Sequence, residues 1–324
     1  MKHASIALQG VLGAALVLAS TAGIAADPYP NRPIKFVVPF AAGGSADPQF
    51  RLVAESMRDT LGQPVVIDNK PGALSTIGLR YLSEAAPDGY TIGMVTISAA
   101  ILYATMPTYK VDPVNGFTFI SQYNYGDYAI VVNNKVPVNN MKELVEYAKR
   151  NPDKFNIAVG GASLDMAMIA FAERAGVKLQ TVKYKGQAPV RTAVVGGETQ
   201  AGLDVPGFSK QFADQGRWKF IAVTGDKRND MAPGVPTVAE SGFPGFEAGF
   251  WWAIGGPTAM PADIVAKLNA AARKAIASPA VKTLMAQDGQ RPVPSSPEQL
   301  KQLMVAETKR WGDIARQHNI VQED

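Results

Sequence analysis

The chain has no cysteine and only two histidines. Without cysteine there is no disulfide, no thiol nucleophile and no Cys-based metal site. The lipid-modified cysteine that would anchor an exported chain after its signal peptide is missing too. His3 stands in an N-terminal segment that reads as removable, and His318 lies beside Arg316 and Gln317 in a charged helical stretch, where it reads as a surface residue. A Ser-His-Asp hydrolase or a His-rich metal centre therefore has almost nothing to be built from. Long apolar runs are scarce: past the N-terminus none approaches 18 residues, so no later segment reads as a membrane span. Charge is sparse and scattered. There are 32 Lys+Arg against 28 Asp+Glu, a net charge of +4, with no basic stripe for nucleic acid and no polybasic membrane anchor. Gly43-Gly44-Ser45 lacks the Gly-Lys-Ser/Thr ending of a Walker loop, and the Rossmann glycine spacing is absent.

What is present begins with Met1-Lys2-His3, an apolar run from Ile6 to Leu18, and the small-residue exit Ala22-Gly23-Ile24-Ala25-Ala26. That order describes a secretory signal peptide, residues 1–26, cleaved after Ala25 or Ala26. About 298 residues remain, a length that suggests two domains.

Two stretches share one plan. Ile34 to Phe40 is a hydrophobic run followed by Ala41-Ala42-Gly43-Gly44-Ser45-Ala46-Asp47 and then a helical pattern. Asn156-Ile157-Ala158-Val159 leads into Gly160-Gly161-Ala162-Ser163-Leu164-Asp165 and another helical pattern, with Ser45 and Ser163 118 positions apart. Each reads as strand, Gly-Gly turn, Ser-x-Asp, helix. A glycine turn lets backbone approach a ligand, and a helix start aims unpaired N–H groups and the positive dipole end into the same space. Paired, they suggest two α/β lobes gripping one small anion. Taken singly, either reads as an ordinary helix start with no ligand; it is the pairing that brings the ligand reading level with that one.

Elsewhere strands and helices alternate, which argues for parallel sheet covered on both faces. Asp47 is placed as an N-cap with Pro48 at the first helical position, and Gly62 ends that helix. Residues 107–127 form a crossing to the second lobe, and the Gly/Pro-rich stretch 224–247 reads as a long connection. Phe250 to Ile254 reads as one apolar strand. Three closing helices span 262–276, 279–287 and 297–318.

Candidate ligand residues stand at the C-terminal ends of strands, where open α/β sheets bind small molecules. They are Gly43, Gly44, Ser45 and Asp47; Thr96 and Ser98; Gly160, Gly161, Ser163 and Asp165; Tyr184, Lys185 and Gly186; and Asp204. Hydroxyl and backbone N–H groups predominate, which suits a carboxylate. Asp47 reads as a helix cap before a ligand contact, and Lys185 as a loop lysine before a counter-ion. Phe40, Trp251 and Trp252 read as core or cleft wall. A pair of acids among Asp47, Asp165 and Asp204 is open to glycoside chemistry, but nothing in their spacing singles it out.

Several segments resemble one family. They are Tyr29-Pro30-Asn31-Arg32-Pro33-Ile34, Val38-Pro39-Phe40-Ala41-Ala42-Gly43-Gly44-Ser45-Ala46-Asp47 and Leu61-Gly62-Gln63-Pro64-Val65-Val66. With them go Asn69-Lys70-Pro71-Gly72-Ala73, Ala86-Pro87-Asp88-Gly89-Tyr90-Thr91, Tyr184-Lys185-Gly186 and Val235-Pro236-Thr237-Val238-Ala239-Glu240. In this order they are similar to the Bug (TctC-like) family, extracytoplasmic solute receptors of tripartite tricarboxylate transporters. The resemblance implies an α/β periplasmic binding protein fold, two α/β lobes with a hinged ligand cleft. Lobe 1 would comprise 27–123 plus 224–324, and lobe 2 would comprise 124–223. It implies a small carboxylate ligand held by Ala42, Gly43, Ser45, Asp47, Gly160, Ala162 and Ser163, partly through water. The chain departs from the family pattern where Ala46 replaces a frequent Thr, where Leu74-Ser75-Thr76 replace a Gly-Gly-Asn tract, and at Ser163-Leu164-Asp165-Met166. Leu74 and Met166 would make the far end of the pocket more apolar, favouring an alkyl or aromatic body.

The expectation is therefore a non-catalytic periplasmic receptor, monomeric, without cofactor or metal. It would deliver a dicarboxylate or aromatic carboxylate to the permease subunits of a tripartite tricarboxylate transporter. A ligand sensor for a signalling partner and, further off, an exported hydrolase remain as alternatives.

Overall fold

The computed structural model describes residues 28–44, 46–152, 154–184 and 186–321. The expected signal peptide, Ser45 and Lys185 lie outside the described residues. All of the strands and helices belong to the compact unit that starts at Arg32.

The chain opens with β1 (Ile34–Val38), α1 (Ala46–Leu61), β2 (Val65–Asn69), α2 (Thr76–Ser83), β3 (Thr91–Thr96), α3 (Ser98–Thr105) and β4 (Phe117–Gln122). It crosses through β5 (Asn124–Asp127) to β6 (Ala129–Asn133), α4 (Met141–Arg150), β7 (Asn156–Val159), α5 (Ala162–Ala175) and β8 (Gln180–Lys183). Then come α6 (Gln187–Gly196), β9 (Ala201–Asp204), α7 (Pro206–Asp214) and β10 (Trp218–Val223). It returns through β11 (Gly249–Phe250) to β12 (Trp252–Pro257), α8 (Ala262–Ile276), α9 (Pro279–Gln287), β13 (Gln290–Pro292) and α10 (Pro297–Gln317).

Two five-stranded sheets result, ordered β2-β1-β3-β12-β4 and β10-β6-β9-β7-β8, with a small third sheet β11-β5-β13. The expectation of parallel sheets is corrected: each is mixed. β1 runs parallel to β2 and β3, but β12 is antiparallel to β3 and β4. In the second sheet β7 is parallel to β8 and β9, while β6 is antiparallel to β9 and β10. The parallel strands are those joined by helical crossovers. β12 joins its sheet on the way back from the other lobe, so its direction is set by the return path.

The strands that carry the loops are apolar on both faces, as strands covered by helices must be. Ile34, Phe36, Val37 and Val38 of β1 and Ile157, Ala158 and Val159 of β7 are all buried. The second lobe's core gathers Val131, Ala158, Val190, Val194 and Trp218. Rings then continue from the first sheet to the second: Phe36–Phe50 at 5.2 Å, Phe50–Trp252 at 6.1 Å, Trp252–Phe250 at 5.5 Å and Phe250–Tyr128 at 5.3 Å between centroids. Pairs at such spacings add a favourable edge or offset interaction to the area that they bury.

The two crossings between sheets are pinned to each other. The Tyr128 N–H donates to Thr224 Oγ1 (2.9 Å), and the Thr224 N–H donates to the Tyr128 carbonyl (2.9 Å). Thr224 Oγ1 donates on to the Ala248 carbonyl. Asn229 Nδ2 donates to Asp127 Oδ1 (2.6 Å) and to the Gly289 carbonyl (2.9 Å). Burial pushes the Asp127 carboxyl up to about 6.

The apolar run Phe250–Ile254 is not one strand. Gly249–Phe250 pairs with β5, Trp251 breaks the ladder, and Trp252 onward joins the large sheet. Among the described residues no helix is long and apolar enough to cross a membrane.

Candidate functional site

β1 ends in a turn that leaves Ala42, Gly43 and Gly44 exposed, with Phe40 half-buried before them. Gly43 has φ +77°, which favours glycine. The expected N-cap is displaced: α1 already starts at Ala46, so Asp47 and Pro48 stand inside its first turn. From there Asp47 reaches back into the loop. Its Oδ2 accepts from the Gly43 N–H (3.1 Å) and from Arg51 Nε (3.0 Å), and its Oδ1 accepts from Asn69 Nδ2 (3.1 Å). Asn69 Nδ2 also donates to the Phe40 carbonyl (3.0 Å), and Arg51 donates to Asn69 Oδ1 (3.2 Å). The Arg51 guanidinium, with the Gly43 N–H and Asn69 adding to it, holds the Asp47 carboxyl below the usual carboxylate range in spite of burial.

The second loop follows β7. α5 starts at Ala162 with Gly161 as its cap residue and no side-chain cap, so its first N–H groups are left for other partners. Gly160 and Gly161 are half-buried. A Cβ on Gly160 would stand 2.1 Å from Gln187 Oε1 and 2.7 Å from the Gly186 carbonyl carbon, so only glycine fits there. Ser163, in the first turn of α5, shares a 2.8 Å hydrogen bond with the Tyr128 hydroxyl. Asp165 turns away from the loop: it accepts from Thr181 Oγ1 (2.7 Å) and pairs with Lys183 (3.1 Å), both on β8.

The neighbouring loops of the second lobe close the floor. The Tyr184 N–H donates to the Val159 carbonyl (2.9 Å), and its hydroxyl donates to Glu198 (2.9 Å), away from the loop. Asp204, fully buried at the end of β9, accepts from Arg191 Nε (2.7 Å) and Nη2 (2.9 Å), from Gln187 Nε2 (3.2 Å) and from the Val205 N–H (2.9 Å). In the first lobe, Thr96 is buried and its Oγ1 accepts from the Ser98 N–H (3.2 Å), an internal turn at the start of α3. α3 packs against α5, so the helix after β3 meets the helix after β7.

The structure thus gathers Ala42, Gly43 and Gly44 in one loop and Gly160, Gly161, Ala162 and Ser163 in another. It commits Asp47, Asp165 and Asp204 to Arg51, Lys183 and Arg191. Trp251 and Trp252 are core, at 2% and 9% exposure. Met166 is fully buried, so of the two residues expected at the far end only Leu74, 43% exposed, offers surface. Sequence reasoning did not single out Arg51, Asn69, Tyr128, Gln187 and Arg191. One of these had a readable signal: Arg51 stands i+4 from Asp47 along a helix, the spacing of an ion pair.

With each acid neutralised by its own base, the groups left over include the first backbone N–H donors of α5 and the Ser163 hydroxyl. Such a set takes an anion. Two α/β lobes joined by paired crossings, with a helix of one packed against a helix of the other, have the architecture of a solute-binding receptor of the periplasmic type. Within that class the chain belongs to the tripartite tricarboxylate transporter receptors, the TctC family, whose model matches residues 49–320. Solved structures bear this out. The periplasmic binding protein BugD is 33% identical with a TM-score of 0.82, over 91% of this chain and 100% of that one. MatC from Rhodopseudomonas palustris, solved with bound malate, is 30% identical with a TM-score of 0.80, over 88% and 99%. Rpa4515 from R. palustris, solved with adipate, is 29% identical with a TM-score of 0.82, over 90% and 99%. The family and the fold are those of solute-binding receptors.

Proposed function

We propose that this chain is exported to the periplasm, where it captures a small dicarboxylate between its lobes and presents it to the permease subunits of a tripartite tricarboxylate transporter. The observation that carries the reading is the neutralisation of Asp47, Asp165 and Asp204 by Arg51, Lys183 and Arg191, beside the start of α5, whose first N–H groups no side chain caps. A cleft built in this way repels no anion and satisfies one through many neutral donors. Malate in MatC and adipate in Rpa4515 support a dicarboxylate as the ligand class. Ala42, Gly43, Ser45, Gly160, Ala162 and Ser163 are the proposed contacts, with Phe40 and Leu74 as walls. Asp47, Thr96, Asp165, Tyr184 and Asp204 shape the loops instead of touching ligand. Lobe closure would commit the ligand by adding second-lobe contacts.

The test is a thermal-shift series on protein unfolded and refolded to remove carried-over ligand, against malate, succinate, adipate, citrate, aspartate and phthalate. A ligand at about 100 times its dissociation constant adds roughly 2.7 kcal/mol, a rise of several degrees for a chain of this size. Stabilisation by one or two dicarboxylates is expected. No shift with any of them would overturn the ligand class. Loss of uptake of the bound acid on deleting the gene would separate transport from sensing.

A further inference from the structure

Tyr128 lies between β5 and β6 on the first crossing, and its hydroxyl is 2.8 Å from Ser163 Oγ. The ring is 3% exposed and packs on Phe250, which belongs to the returning crossing. Its backbone is fixed by Thr224 through both N–H and carbonyl. The residue is thus rigid, buried and attached to the hinge, and its polar tip meets the loop at the start of α5.

Which oxygen donates is decided by what each proton would otherwise face. Burial pushes the Tyr128 phenol up, so it keeps its proton. Were Ser163 to donate, the phenol proton would be buried with no acceptor, which is unfavourable by about 1–3 kcal/mol. Ser163 is half-buried, so its proton has an exposed side to turn to. The favoured arrangement is Tyr128 O–H donating to Ser163 Oγ, with the Ser163 O–H directed outward.

We propose that Tyr128 is the positioning residue that occupies one lone pair of Ser163 and turns its O–H outward as a donor, so that the second-lobe loop favours an accepting ligand oxygen. This rests on the carboxylate reading above and deepens it. A carboxylate oxygen accepts from such a donor in a charge-assisted bond, a carboxamide oxygen accepts more weakly, and an ammonium group offers only hydrogens. Because the same ring packs against Phe250, the selection is tied to the crossing about which the lobes would move.

The test is a double-mutant cycle read by calorimetric titration. Wild type, Tyr128→Phe, Ser163→Ala and the double variant are titrated with succinate and with its monoamide, succinamate. Far-ultraviolet circular dichroism and unfolding midpoints are recorded for each. Tyr128→Phe keeps the ring and removes only the donor. Succinate affinity is expected to fall roughly ten-fold in each single variant, and the double variant is expected to be no weaker than Ser163→Ala. The succinate-to-succinamate ratio should fall in Tyr128→Phe, a change that a purely structural role would not produce. Additive losses, or an unchanged ratio, would overturn the relay while leaving the receptor reading intact. A wild-type protein that binds no dicarboxylate, succinate and the thermal-shift panel included, would overturn both.

Discussion

In the first lobe the glycine loop is tied to itself: Gly43 donates to Asp47 four residues on, and Arg51 and Asn69 hold that carboxylate in place. In the second lobe the loop is tied to its neighbours. Gly160 packs on Gly186 and Gln187, Ser163 is held by Tyr128, and Asp165 has left the loop for β8. One sequence plan is thus wired in two ways. The first wiring is electrostatic and nearly local. The second is steric and depends on contacts distant in sequence. They should fail under different insults.

The largest difference lies in adding a methyl group. Gly160→Ala would force its Cβ into Gln187 and the Gly186 backbone, where backbone cannot yield cheaply. A loss of about 3 kcal/mol is expected in urea unfolding, with ligand binding abolished at micromolar concentration. Gly43→Ala meets nothing within 4 Å and suffers only from its φ of +77°. Its loss should be about 1 kcal/mol. Equal losses would mean that the second loop is not held by close packing.

The next difference lies in removing a charge. Asp47→Asn keeps the shape but weakens the bonds from Arg51 and Gly43, and since Arg51 is half exposed the expected loss is about 1–2 kcal/mol. Ligand affinity should fall with it, by roughly ten-fold, since the loop backbone loses its anchor. Asp165→Asn, whose partner Lys183 is 62% exposed, should lose less than about 1 kcal/mol and leave affinity unchanged. Asp47 also carries a pH signature. Its folded-state value is depressed, so its contribution is complete above the unfolded value of about 3.9 and disappears as pH falls through the lower folded value. The gap between wild type and Asp47→Asn should therefore be constant from pH 8 to 5 and close below about pH 4. A gap that persists in acid would remove Asp47 as the anchor.

The same contrast explains what could be read in advance. Helices with local punctuation were legible: Pro261 before Ala262–Ile276, Ser278-Pro279 before α9, and Gly176 after α5 are start and stop signals in the chain itself. α7 was not, because Pro206-Gly207 looks like a loop. Gly207 is required there because the backbone at 287–288 comes within 2.4–2.6 Å of where its Cβ would be. The third sheet was invisible too: its strands, of two to four residues, come from positions 124–127, 249–250 and 290–292, and pairing at such range leaves no local periodicity. At the site, the loops and their glycines were legible, and so in principle was Asp47 with Arg51. Tyr128 was not, since a tyrosine at a strand start carries no sign of which hydroxyl it meets.

The smallest expected effect concerns strain in the turn after β2. After β2, Ala73, Leu74 and Ser75 all have positive φ, at 41°, 55° and 80°, in a turn closed by the Ser75 N–H donating to the Gly72 carbonyl (2.9 Å). This is where the family resemblance puts a Gly-Gly-Asn tract, residues at ease in that region of backbone space. A non-glycine residue there is disfavoured by about 1–2 kcal/mol. Replacing it by glycine relieves that but loosens the unfolded chain by about 0.5–1 kcal/mol. Leu74→Gly should therefore gain only about 0.5 kcal/mol in stability. Since strain of this kind persists where the side chain is used, and Leu74 is 43% exposed, the variant should also shift selectivity. The ratio of adipate to malate affinity is expected to fall by roughly five-fold, the value of part of a leucine's apolar surface. A gain in stability with an unchanged ratio would separate the strained turn from the ligand, leaving the first lobe's grip entirely to the loop anchored by Asp47.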